Sequence, residues 1–163
     1  MTTATELLAP ERVRCSARAG SKKRALEMGA GLLSGAVPSM SRMSVFEALN
    51  TRERLGSTGL GHGMALPHGR VRALAGPVGA CFTLAQAIDF DAPDGQPVDL
   101  LFFLLVPRDC SEDHLQILAT LAEMFNDARL REALRHQTEP SDLVATLQAW
   151  TSGTSSAAAS QSG

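Results

Sequence analysis

The chain has 163 residues, the length of one ordinary domain, with 44% apolar and 20% charged residues and a mean hydropathy of +0.00. This is a globular composition, far from the low-hydrophobicity, high-charge profile of disorder. A net charge of −2, six Phe, one Trp and no Tyr supply neither a global basic field nor base-stacking platforms, which excludes nucleic-acid binding as the main activity. The longest unbroken apolar run, Leu100–Val106, is seven residues, against the roughly 20 that a membrane-spanning helix needs. The opening MTTATELLAP has no basic or apolar signal region, and Cys15, Cys81 and Cys110 form an odd set without CxxC spacing. A soluble cytoplasmic protein without a membrane span, disulfide framework or cysteine zinc site is expected.

Residues 1–10 read as an N-terminal arm and residues 11–150 as the folded domain. RVRC (Arg12–Cys15) suits a short strand. Ser21 offers an N-cap for a helix through Ser34, with Ala25, Met28, Leu32 and Leu33 at helical spacing, and Pro38 ends the pattern. A second helix begins near Ser41 or Ser44, carries Val45, Phe46 and Leu49 into the polar end TRER, and meets Gly56, which suits a C-terminal cap. After a glycine-rich loop, Met64–Leu66 reads as a short strand ending at Pro67. Val78–Leu84 and Asp99–Val106 are further strands. The second is apolar on both faces, as in a central strand covered from both sides. PRDCSED then turns into the longest helix, about Glu112–Asn126, capped by Ser111 and striped by Leu115, Leu118, Ala122 and Phe125. A short helix at Leu130–Arg135 and a last one at Asp142–Trp150, after the cap Ser141, complete the domain. Residues 151–163 carry no charge and no large apolar residue, which predicts a flexible tail. Strands interleaved with helices predict a single-domain, layered α/β fold.

The most unusual segment is Arg52–Arg70, RERLGSTGLGHGMALPHGR, with Gly56, Gly59, Gly61, Gly63 and Gly69 beside Ser57, Thr58, His62 and His68. Such glycine density lets backbone N–H groups turn inward around an anion. Neither a Walker loop nor a G-x-G-x-x-G fingerprint fits, so an ATP or NAD cofactor is not expected. His68 stands between Pro67, which stiffens the approaching chain, and Gly69, which we expect to leave access open. A mostly neutral imidazole there suits a nucleophile that takes up and hands on a group. Metal binding is the rival: His62 and His68 are six apart, outside the usual ligand spacings, with His114 as a conceivable third ligand. His114 falls in the first turn of the long helix, where the dipole favours a bound anion and a neutral imidazole. Arg52, just before the loop, has a planar fork that matches phosphate oxygens.

The run TRERLGSTGLGHGMALPHGRV resembles the active-site segment of enzyme IIA proteins of the mannitol/fructose type in the bacterial phosphotransferase system, nearest their nitrogen-regulatory subtype. RVRC followed by SKKRALE, then QPVDLLFFLLVP, then HLQIL support the same subtype, and the likeness extends from about residue 6 to residue 150. It implies a mixed β-sheet flanked by helices. It also implies His68 as the phosphoryl acceptor, Arg52 as the arginine that neutralises the phosphoryl group, and His114 as a second, orienting histidine. Ser57, Thr58, Gly59 and Gly61 would be loop residues bordering the site. His62 departs from the pattern, standing where relatives often have Asn.

The implied activity is transfer of a phosphoryl group between histidines, with no metal or nucleotide cofactor. The donor would be the nitrogen-branch HPr-like phosphocarrier (NPr), itself phosphorylated by an enzyme I homologue using phosphoenolpyruvate. The chain shows no fused sugar-transporting segment, which favours regulatory targets over sugar import. A regulatory module that holds a free anion without becoming modified is the alternative; a hydrolase using His68 and His114 as an acid–base pair lacks a persuasive nucleophile. Basic residues gather at Arg12–Arg24 and acidic ones at 89–113. Phosphorylation of His68 is expected to place its charge beside that acidic region.

Overall fold

The computed structural model describes the backbone of residues 7–72, 74–109 and 112–161, and the side chains of residues 7–72, 74–109 and 115–150. A 3-10 turn at Pro10–Arg12 leads into strand β1 (Val13–Ala17). Helix α1 (Lys22–Ser34) starts where the Ser21 hydroxyl accepts the Arg24 N–H, as expected, and α2 (Arg42–Arg54) starts at Ser41 rather than Ser44, the Ser41 hydroxyl accepting the Ser44 N–H. Strands β2 (Gly59–Gly61), β3 (Met64–Ala65), β4 (His68–Val71), β5 (Val78–Ile88) and β6 (Val98–Pro107) follow. Helices α3 (Glu112–Phe125), α4 (Ala128–Arg135) and α5 (Pro140–Gln161) close the chain.

The sheet is mixed and six-stranded, ordered β1-β5-β6-β3-β2, with β4 also paired to β6. Its centre is β6, antiparallel to β5 and parallel to β3 and β4. As the apolar run predicts, β6 is buried on both faces. Leu101, Phe103 and Leu105 meet Leu26, Leu33, Val45 and Leu49 of α1 and α2 in one core. Leu100, Phe102, Leu104 and Val106 meet Ile117, Leu121, Leu134 and Leu147 of α3, α4 and α5 in the other. Strand alternation alone produces this split, because successive side chains leave opposite faces.

The glycine-rich segment is not the loop the sequence suggests. Gly59–Gly61 pairs with Met64–Ala65 as a hairpin, turning through Gly61 (φ +91°), His62 (φ +57°) and Gly63 (φ +79°). Three successive positive φ values explain the glycines, and His62 holds a left-handed position that Asn tolerates well. The short strand expected before Pro67 forms as β3, and beyond the proline a separate strand, β4, continues its line. Met64 lies opposite Leu100 and His68 opposite Leu104, the same register on either side of the proline. Pro67 lacks an N–H but its carbonyl still accepts from Leu104 N–H at 3.0 Å, so the line of pairing resumes at His68.

Helix α5 begins at Pro140 rather than after Ser141, because proline's fixed φ and missing N–H suit the first helical position. Its backbone remains helical to Gln161, through the segment expected to be a flexible tail; Ala157–Ala159 carry the strongest intrinsic helix preference there. Among the described residues no helix is long and apolar enough to cross a membrane.

Candidate functional site

The site is set by how closely α2 lies on β4. Gly69 is buried against Ala48, and a Cβ on Gly69 would sit 3.0 Å from both the carbonyl carbon and oxygen of Ala48 and 3.2 Å from its Cβ. Open access was the reading of Gly69 from sequence; the structure gives it close packing between helix and strand. Arg52, one turn beyond Ala48 on the same helix, thereby lines the same cleft as His68.

His68 is half-buried at the start of β4. Its Nδ1 lies 2.9 Å from the Leu66 carbonyl. A carbonyl can only accept, so Nδ1 carries the proton and the neutral ring keeps Nε2 as its free lone pair. Burial holds the imidazole below its ordinary pKa of 6.5; the Leu66 hydrogen bond opposes this, the Arg52 guanidinium adds to it, the Glu53 carboxylate opposes it and Arg70 adds to it. The ring is therefore neutral at pH 7 with one nucleophilic nitrogen.

The cleft beside it has a volume of about 960 Å³. Its described lining includes Arg52, Arg70, Arg72 and Arg108, with Glu47 as the one carboxylate. Arg52 Nη1 donates to the Gly56 carbonyl at 2.8 Å, which steadies the guanidinium at the end of α2 and leaves its other N–H groups available. Arg70 shares a face of β4 with His68, two residues away. The sequence reading did not single out Arg70, Arg72 or Arg108; the alternation H-x-R-x-R from His68 was the available signal.

A second residue missed from sequence is Glu53, only 5% exposed. It accepts Thr58 N–H at 3.0 Å on one oxygen and Thr58 Oγ1–H at 2.6 Å on the other, and pairs with Lys22 Nζ at 2.9 Å. Lys22 in turn lies 4.8 Å over the Phe90 ring. The carboxylate thus ties α1, the end of α2 and the start of β2 together. Its signal was positional: Val45, Leu49 and Glu53 recur every four residues, which puts Glu53 on the buried stripe of α2.

Ser57, Thr58, Gly59 and Gly61 do not line the cleft. Ser57 Oγ donates to the Phe90 carbonyl at 3.0 Å and accepts Gly59 N–H at 3.1 Å. His62 N–H donates to Asp94 at 3.0 Å, and its carbonyl accepts from Arg135 at 2.6 Å. These polar groups are spent inside the scaffold, so arginine side chains rather than loop amides face the cleft. Three of the acidic residues are placed elsewhere: Asp91 pairs with Lys22, Asp94 caps the hairpin and Asp99 pairs with Arg135. Asp109 instead lies beside Arg72 and Arg108, and the side chains of Glu112 and Asp113 are outside the described residues. The described charged side chains lining the cleft with His68 are thus mostly arginines, with Asp109 the acidic-region residue placed beside two of them. The His114 side chain, Ser111 and Cys110 lie outside the described residues, although Leu115 and Leu118 on the first turns of α3 line the cleft. Among the described residues no three His, Cys, Asp or Glu side chains converge as a metal site.

Comparison with known proteins identifies the family. Residues 6–150 match the family described as phosphoenolpyruvate-dependent sugar phosphotransferase system, EIIA 2. The chain is 45% identical over 130 residues to a nitrogen regulatory protein of Pseudomonas aeruginosa, covering 80% of this chain and 84% of that one. It is 40% identical over 131 residues to the nitrogen regulatory protein of Bradyrhizobium diazoefficiens, covering 80% and 85%. Among solved structures, the nitrogen regulatory protein IIA-Ntr of Neisseria meningitidis superposes with a TM-score of 0.83 at 40% identity, over 88% of this chain and 97% of that one. The mannitol IIA of Escherichia coli shares the fold with a TM-score of 0.70 at 22% identity, over 86% and 98%. The chain belongs to the EIIA 2 family of the phosphotransferase system, in its nitrogen-regulatory branch.

Proposed function

We propose that His68 is the phosphoryl acceptor of a regulatory relay, and that it reacts through Nε2. The observation that carries this reading is the commitment of Nδ1 to the Leu66 carbonyl, which leaves one free nitrogen on a residue lining an arginine-rich cleft. A phosphohistidine on an HPr-like donor (NPr), charged from phosphoenolpyruvate by an enzyme I homologue, presents its phosphorus in line with Nε2. The Nε2 lone pair forms the new N–P bond as the donor's N–P bond breaks and its electron pair returns to the donor ring. Arg52 meets the phosphoryl oxygens, and Nδ1–H keeps the ring fixed and stabilises it as positive charge develops. His114 is the proposed second histidine, placed by sequence in the first turn of α3.

Incubation of the chain with phosphoenolpyruvate, enzyme I and the HPr-like protein should add one phosphate to the intact mass. His68→Ala should abolish the gain, and the label should be lost in acid and survive base. Non-covalent retention of phosphate without a mass gain would instead support the anion-binding module. In the relay reading, targets distinguish the phosphorylated from the unphosphorylated chain, because about two negative charges now stand among the arginines.

A further inference from the structure

We infer that the cleft docks a protein face that is apolar at its centre and ringed by carboxylates, and that Arg72 and Arg108 select this partner by the sign of its charge. The inference rests on the relay reading and names the chemistry of the donor's docking surface. Continuation of the β4–β6 register, in which Arg70 lies opposite Val106 and Val71 opposite Pro107, sets Arg72 beside Arg108. The two strands remain tied there, with Arg108 N–H donating to the Val71 carbonyl at 2.9 Å. Like charges directly across a strand pair repel. Among the described residues neither arginine has an ion pair, whereas Lys22, Arg24 and Arg135 elsewhere do. Both arginines are exposed and line the same cleft as His68. Asp109 lies beside both arginines but forms an ion pair with neither, so an acidic partner would remove the repulsion that remains.

The same cleft has an apolar part. Leu55 at the end of α2 is 82% exposed and Leu115 on α3 is 52% exposed, and both line the cleft. Two large aliphatic side chains held in water beside a nucleophilic histidine suit a protein surface better than a small anion, which would use the arginines and leave the leucines wet. Charge at such a rim acts on encounter, and apolar contact on retention. A donor with a basic face would meet the arginines and be rejected.

The test is phosphoryl transfer from the phosphorylated HPr-like protein to the full chain, measured against donor concentration at low salt and at about physiological ionic strength, where exposed charges are screened beyond roughly 8 Å. For the wild type, KM should rise with salt. Combined Arg72→Glu and Arg108→Glu should raise KM at low salt by about tenfold or more and abolish its rise with salt. Leu55→Ser should raise KM at both ionic strengths alike. Arg18→Glu with Arg129→Glu makes the same change in net charge at exposed positions outside this cleft, and should behave as the wild type. Absence of any phosphoryl gain by the wild type would overturn the relay reading itself. A normal gain with wild-type KM and salt dependence in the Arg72/Arg108 variant would overturn the docking inference alone, as would an equal loss in the Arg18/Arg129 variant.

Discussion

Gly69→Ala is the sharpest test of how the site is built. Its new Cβ would stand 3.0 Å from two backbone atoms of Ala48, where carbon contacts are most favourable at about 3.5–4.0 Å. Backbone cannot rotate away, so α2 must move off β4 by about half an ångström. Overpacking of this kind costs about 1–3 kcal/mol, and the lower entropy of the unfolded alanine chain offsets about 0.4–1 kcal/mol. A net loss of about 1–2 kcal/mol lowers the melting temperature by roughly 2–8 °C for a domain of this size. The same displacement carries Arg52 away from His68, and because misplacement by 1 Å can cost about a hundredfold in rate, transfer should slow by about tenfold. Thermal unfolding and single-turnover phosphorylation measure the two effects. Adding Ala48→Gly should not restore stability, since it removes only the 3.2 Å contact and puts a glycine into a helix interior at about 1 kcal/mol. Melting within 1 °C of the wild type (about the error of such a measurement, and less than the shift expected for 1 kcal/mol) together with unchanged transfer would show that Gly69 does not set the helix–strand distance.

Glu53→Gln keeps the shape of the side chain but turns one acceptor into a donor facing Thr58 and Lys22, and should cost about 2–4 kcal/mol in urea unfolding; a loss under about 0.5 kcal/mol, the usual range of a surface substitution, would refute the clamp. Because burial lowers the His68 pKa, the folded chain binds fewer protons than the unfolded one. The contribution is fully present above the ordinary value of 6.5 and lost as pH falls through the folded pKa. His68→Gln should therefore flatten the decline of stability below that value, and identical acid limbs would contradict the buried neutral ring. The acid limb of the transfer rate should likewise fall below the ordinary histidine value. Arg52→Lys retains charge and loses the fork, and should slow transfer by about one to two decades, equivalent to about 1.5–3 kcal/mol, with far-UV circular dichroism unchanged; wild-type transfer would remove Arg52 from the site.

Local chemistry decided much of this protein within the sequence itself. Ser21 and Ser41 start their helices because each side chain has an orphan N–H within reach. Leu100–Val106 is central because apolar side chains on both faces of a strand require cover on both. His68 and Arg52 stood out because proline, glycine and a guanidinium fork impose recognisable geometry within a few residues. Tertiary structure decided what depends on distant partners. The pairing of His68–Val71 resumes beyond Pro67 because β6 offers the register. Gly69 is a contact with Ala48 rather than an opening. The hydroxyls and amides at Ser57–Gly59 turn inward because Glu53 and Phe90 lie there to receive them or supply an acceptor. Arg72 and Arg108, 36 residues apart in sequence, become one charged rim only when parallel strands bring them level, since the cost of closing a long loop is repaid by pairing that no local pattern records.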